Sequence, residues 1–223
     1  LGNIGLQSSE LSPPPPRGIG RPKDPAKRAA ILAAAKDLFL SRGFGDVTME
    51  AVAAAARVSK MTVYGHFPDK ENLFEAVVRL CTGEIVAALS DVGDTGGTLQ
   101  GRLRVLGVAF LEMLCRPEIV AADRTLKQML AGNRAMALRF YEAGPGFMRA
   151  SLGKTLAAAA RRGELDIDDA LEAADDLLSL WTCSLTHKLA LGILDSVSPE
   201  DIARRVDRKI GVFLRAYRAD DTG

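Results

Sequence analysis

Residues 48–67 read Thr-Met-Glu-Ala-Val-Ala-Ala-Ala-Ala-Arg-Val-Ser-Lys-Met-Thr-Val-Tyr-Gly-His-Phe, and no other stretch constrains the fold as tightly. Thr48 and Ser59 are residue types that cap helix starts, and each stands before a short helical run. Glu50 lies in the first turn, where the helix dipole favours an anion. The run Ala51 to Ala56 is alanine apart from Val52, and such small side chains let a second helix approach closely, while Arg57-Val58 leave space for no more than a tight break. Two short helices meeting at an angle make a helix-turn-helix, a motif whose second helix can enter a DNA major groove.

The second of these helices has two unlike faces. At about 100° per residue from Ser59, Val63 and Phe67 fall on one side. Met61, Tyr64 and Gly65 fall opposite, flanked by Lys60 and Thr62, with Ser59 at the start. Hydroxyls, an ammonium and a phenol all donate to phosphate oxygens. Lys60 can reach guanine acceptors, and a Thr methyl or Met61 can touch a thymine methyl. Gly65 removes a side chain where the backbone would lie near the duplex. Arg, Asn and Gln, the usual bidentate base readers, are missing, so DNA shape contributes to selectivity. His66, just before the next helix start, and Lys70, on that helix's first turn, are further phosphate donors. The alternative is a solvated helix face between packed neighbours.

The flanks extend this unit. Asp24-Pro25 is a cap followed by a first-turn proline, and Ile31, Ala34, Ala35, Leu38 and Phe39 recur at helical spacing. Gly43 suits a helix end, and Phe44 can pack back on the last turn. Pro68-Asp69-Lys70-Glu71 stops one helix and opens another, which runs to about Ser90. Ahead of the unit, Arg17-Gly18-Ile19-Gly20-Arg21-Pro22-Lys23 spaces cations with glycines. Arg17, Arg21 and Lys23 could form an arm in a minor groove, or a solvated leader. The charge follows the same division: 11 Lys/Arg against 7 Asp/Glu in residues 17–79, but 18 against 20 in residues 80–223.

Beyond a glycine-rich break at residues 91–97, six more helices are expected near 98–115, 118–131, 134–143, 146–162, 169–193 and 199–217. Hydrophobic residues make up 48% of the chain and aromatics only 5%, much of the apolar share being Ala, with no alternating strand pattern. The expected fold is all-α with nine to ten helices. Residues 1–23 form a disordered basic arm, 24–84 a three-helix DNA-binding unit with its connecting helix, and 85–223 a larger helical bundle.

Cys81, Cys115 and Cys183 make no CxxC and no disulfide framework, which fits a reducing cytoplasm, each read as a small buried apolar residue. No apolar run reaches the ~18 residues of a membrane span. The N-terminus lacks the regions of a signal peptide, and Leu1 in place of Met points to a trimmed or partial start. Catalysis has little support: GxxxxGK[ST], HExxH and Glu-x-x-His are all missing, and of the two histidines, His187 sits in an apolar helix where a core role is expected. Neither a metal nor a cofactor is called for.

Ile31 through Phe39, Gly43-Phe44, Thr48 to Val58, Ser59 to Phe67 and Lys70 to Phe74 closely resemble the TetR/AcrR family of bacterial transcription regulators. Phe140-Tyr141-Glu142-Ala143-Gly144-Pro145 and Phe213-Leu214-Arg215-Ala216-Tyr217 resemble the AefR-like C-terminal domain more weakly. The resemblance implies a homodimer on a palindromic operator, usually a repressor, released or retuned by a small apolar or amphipathic effector. It implies that Thr48, Lys60, Thr62, Tyr64, His66 and Lys70 face DNA, while Met61 departs from the small residue usual there. It also implies that the last two long helices form the dimer interface. Their apolar residues are Leu177, Leu178, Leu180, Trp181, Leu185, Leu189 and Ile193 on one, and Ile202, Val206, Ile210, Val212, Phe213 and Tyr217 on the other. A purely internal core is the alternative for these residues. The middle helices would enclose the effector, with Phe110, Met113, Leu114, Met129, Phe140, Tyr141, Phe147, Met148 and Trp181 as candidate lining. The rival to a regulator is a helical small-molecule binder or adaptor without sequence-specific DNA binding.

Overall fold

The computed structural model describes residues 24–91 and 97–218, so the basic arm with Arg17, Arg21 and Lys23 lies outside the described residues, as does most of the glycine-rich break. The described residues form ten helices and no strand. The first four are α1 (Pro25–Arg42), α2 (Met49–Ala55), α3 (Lys60–His66) and α4 (Lys70–Asp91). After the break come α5 (Leu99–Leu114), α6 (Pro117–Leu130), α7 (Arg134–Ala143), α8 (Pro145–Arg161), α9 (Ala170–Ala190) and α10 (Pro199–Ala216).

Local chemistry sets these starts. The side chains of Asp24, Thr48, Ser59, Thr98, Asn133, Asp169 and Ser198 each accept a hydrogen bond from a backbone N–H in the first turn of the helix that follows. Asp69 does the same for α4, accepting from the Asn72 N–H at 2.6 Å. Pro25, Pro117, Pro145 and Pro199 occupy first-turn positions, where the missing N–H costs no hydrogen bond.

The chain packs around two apolar clusters. The first gathers Ile31, Ala35, Phe39, Val52, Val63, Phe67, Leu73 and Val77 from α1 to α4. The second gathers Ile85, Leu103, Leu106, Leu111, Leu152, Leu156, Leu177, Trp181, Val206, Ile210 and Phe213. Helix α4 contributes its leading half, through Leu73 and Val77, to the first cluster and Ile85 to the second. It is the mechanical link between the two halves.

Helix α9 departs from expectation. It ends at Ala190 and not near residue 193, because Gly192 takes φ 69° and the Ile193 N–H turns back to the Lys188 carbonyl at 2.9 Å. It is also interrupted at Cys183, whose φ of 30° and ψ of −137° are not helical. Cys183 is therefore exposed, not the buried residue expected of it, while Cys115 is buried and Cys81 half-buried. Burial pushes both of the latter thiols up. His187 is exposed as well, because the rotation of α9 gives the core side to Trp181, Leu185 and Leu189.

Most of the apolar residues expected at a dimer interface are used inside one chain. Leu177, Trp181, Leu185, Leu189, Ile202, Val206, Ile210 and Phe213 are all buried. The large apolar side chains left exposed on and just after these helices are Leu171, Leu191, Ile193, Leu194 and Val212.

Candidate nucleic-acid interface and the cavity behind it

Helix α3 is short, so its placement depends on what it buries. Val63 is 0% and Phe67 3% exposed, and together they seat the helix on the first cluster. The opposite side is open: Met61 is 79% and Tyr64 40% exposed, with Gly65, Ser59 and Lys60 also exposed and Thr62 and His66 half-buried. The turn before it closes through Arg57, at φ 54°, with the Val58 N–H donating to the Ala53 carbonyl at 3.0 Å.

Several polar groups on this face already have partners. The Ser59 hydroxyl accepts from the Thr62 N–H at 3.1 Å and lies 2.9 Å from the Thr62 hydroxyl. The Lys60 ammonium is ion-paired with Glu50 and sits 5.7 Å from the centre of the Tyr64 ring. That pairing lowers the Glu50 carboxyl and raises the Lys60 amine, chiefly through the hydrogen bond between them. Both side chains are exposed, so the pair is weak in water and can open when a phosphate competes. Thr48 is exposed and caps α2 by accepting from the Ala51 N–H at 3.1 Å. Lys70 is more committed than its sequence context implied. Its ammonium donates to the carbonyls of Phe44 at 2.9 Å and Gly45 at 3.3 Å, 4.3 Å from the centre of the Phe44 ring. The Glu50 pairing and the Phe44 and Gly45 carbonyls depend on contacts across elements that spacing alone cannot reveal.

Behind this unit lies a cavity of about 580 Å³. Phe110, Met113, Leu114, Met129, Phe140, Tyr141 and Met148 line it. Trp181 and Phe147 do not. Trp181 is 0% exposed and packs in the second core, with its ring centre 6.4 Å from that of Phe110. Phe147 is half-buried on a different side of α8 from Met148. The wall also includes residues of the first half: Lys36, Phe39, Leu40, Phe44 and Phe74. Phe39, Phe44 and Phe74 form a close aromatic group, and Phe74 stacks on Phe140 of α7 at 6.3 Å. The same two helices are joined by Arg139, whose Nε lies 2.9 Å from a Glu75 carboxylate oxygen. The periodicity of α1 marked Phe39 as core, but nothing local marked it as cavity wall. Among the described residues no group of His, Cys, Asp and Glu could hold a metal, and no described helix is long and apolar enough to cross a membrane.

A helix-turn-helix with an open recognition face, joined by one long helix to a body enclosing an apolar cavity, defines the class of one-component transcription regulators. Comparison with known proteins narrows this. The family described as bacterial regulatory proteins, tetR family, matches residues 31–77, and the AefR-like transcriptional repressor C-terminal domain matches residues 101–219. The chain belongs to the TetR family of bacterial transcriptional regulators, with an AefR-like C-terminal domain. It is 26% identical over 189 residues to the DNA-binding transcriptional repressor TetR of Mycobacteroides abscessus, covering 85% of this chain and 94% of that protein. Among solved structures it is similar to a TetR-family regulator from Mesorhizobium loti, with TM-score 0.72, 25% identity, and 86% of this chain and 96% of that one covered. It is also similar to the flavonoid-responsive regulator FrrA, with TM-score 0.64, 29% identity, and coverage of 87% and 98%.

Proposed function

We propose that this regulator is a cytoplasmic repressor that binds a palindromic operator as a homodimer and is released or retuned by a small-molecule effector in the cavity. The observation that carries the DNA-binding part is the α3 face, with Val63 and Phe67 buried beneath exposed Tyr64, Lys60 and Met61. In this reading Thr48, Ser59, Lys60, Thr62, Tyr64, His66 and Lys70 donate to phosphates. Met61 and the bare backbone at Gly65 approach the bases. Two copies would place their α3 helices in successive major grooves about 34 Å apart. The exposed apolar residues of α9 and α10, Leu171 and Val212 among them, support a partner surface there.

Effector control follows from the position of the cavity. Its wall takes Phe74 from α4 and Phe140 from α7, and Glu75–Arg139 ties the same two helices. A ligand that moves α7 therefore moves α4, and with it α3. A coupling of about 1–3 kcal/mol would change operator affinity roughly 5- to 150-fold. The similarity to a flavonoid-responsive regulator supports a small aromatic effector.

Selection of bound duplexes from a random DNA pool tests the reading. A two-fold symmetric consensus is expected, with Tyr64→Phe weakening its binding at constant salt. Recovery of no preferred sequence would leave a ligand-binding adaptor in its place.

A further inference from the structure

The proposed function leaves the chemistry of the effector open, and the cavity wall narrows it. Three cations line the cavity, and each faces a carboxylate. Lys36 lies 2.8 Å from Glu84, Lys127 2.6 Å from Asp123 and Arg149 2.6 Å from Asp175. Asp123 and Asp175 line the cavity as well, while Glu84 reaches Lys36 from outside the lining, so each of the three positive charges has a carboxylate partner. A cavity built for a carboxylate or phosphate gains most from a cation without such a partner, since charge-assisted bonds are roughly twice as strong as neutral ones. Lys127 is 71% exposed and lies largely in water, but Lys36 and Arg149 are only 25% and 31% exposed, against 56% for Lys60 on the open α3 face, so there an entering anion would have to compete with a carboxylate already in place and would be repelled by it.

The deeper hydroxyls narrow the chemistry further. Thr82, 7% exposed, donates its hydroxyl hydrogen to the Val78 carbonyl at 3.0 Å, and Thr182 donates to the Leu178 carbonyl at 2.9 Å. Each hydroxyl has one hydrogen, already used within its helix, and keeps lone pairs able to accept. Toward a ligand both act as acceptors. Thr125, Tyr141 and Ser179 are exposed and accessible to water, and half-buried Thr186 is free in either role. The Cys81 thiol, raised by burial, adds no negative charge near neutral pH. The rest of the wall is aromatic and aliphatic, including Phe44, Phe74, Phe110 and Phe140.

We infer that the effector is a neutral, largely aromatic molecule carrying a hydroxyl or N–H that donates to Thr82 or Thr182, and that its anionic analogues are rejected. This rests on the cavity being the effector site. Its size suits a drug-sized molecule.

Three fluorescent probes of one shape separate the possibilities: 4-hydroxystilbene, 4-methoxystilbene and stilbene-4-carboxylate, titrated at pH 7 into the full chain without DNA. The phenol is expected to bind about tenfold more tightly than the ether, the effect of one hydrogen bond, and the carboxylate more weakly than either. In a Thr82→Val, Thr182→Val double variant, the phenol should fall to the affinity of the ether while the ether is unchanged. Equal or tighter binding of the carboxylate, equal binding of phenol and ether to the wild type, or no binding of any probe would overturn the inference. So would a phenol preference that survives in the double variant. Because the titration uses free protein, each of these results leaves operator binding intact. Failure to select any operator would instead strike at the regulator itself.

Discussion

Gly107 decides how deep Trp181 can sit. A Cβ at this position would lie 2.8 Å from two atoms of the indole and 2.9 Å from a Val206 methyl. Trp181 is 0% exposed and shares the core of α5, α9 and α10, so the ring has little room to retreat. Gly107→Ala should therefore destabilise the fold by about 1–3 kcal/mol, measured by urea denaturation, despite the better helix propensity of alanine. At the far end of α10, the Tyr217 hydroxyl donates to Asp176 at 2.5 Å, which pushes the phenol up to about 12 from an ordinary 10.0. The folded value lies above the unfolded one, so this contribution is complete below pH 10 and fades as pH rises toward about 12. Tyr217→Phe should be less stable than wild type at pH 8, and the gap should close in denaturation curves taken through that alkaline window. Trp181 also marks the limit of reading single residues from sequence. A large apolar residue on an amphipathic helix belongs to the core or to a cavity wall according to how that helix is rotated, and distant neighbours set the rotation. His187 was misplaced for the same reason, and Cys183 because the break in α9 at that residue has no local signal.

At the scale of elements, the helix-turn-helix uses an unusual residue at its turn. Arg57 holds φ 54° between α2 and α3, a conformation that costs any residue with a Cβ. Arg57→Gly should raise stability by about 0.5–1 kcal/mol in chemical unfolding, because the strain relieved at this exposed residue exceeds the extra freedom glycine gives the unfolded chain. The facing pair of Lys60 and Glu50 gives a second expectation. Glu50→Gln frees the ammonium and removes a negative charge from the approach of the phosphates, so operator affinity in an anisotropy titration should rise severalfold, the gain shrinking in high salt. Helix starts were the most legible part of the chain, because Asp24, Thr48, Ser59 and Ser198 meet backbone groups only two or three residues away. The end of α9 was written just as locally in Gly192 and was missed, the apolar run past it being read as more helix. The α3 face was legible in its rotation, since Val63 and Phe67 lie inward as their spacing required. Its ion pair was not, since Glu50 lies on another helix.

For the whole molecule, salt dependence counts the subunits on the operator. Removing one phosphate-contacting lysine reduces the slope of log affinity against log salt by about 0.9. If Lys70 reaches a phosphate from each of two copies, Lys70→Met should reduce it by about twice that, measured from about 50 to 200 mM salt, whereas one bound copy would lose a single increment. The full cavity wall could not be foreseen from sequence. Its members come from α1 and α4 as well as from the later helices, and no periodicity in one segment reports how two halves dock. Lys36, Phe39, Phe44 and Phe74 belong to the half that would touch DNA and also to the chamber that would hold the ligand. The reading head is therefore not an exchangeable cartridge. Grafting another regulator's first four helices onto this body would remodel one side of the chamber, and the chimera would inherit a new sequence preference together with an altered ligand.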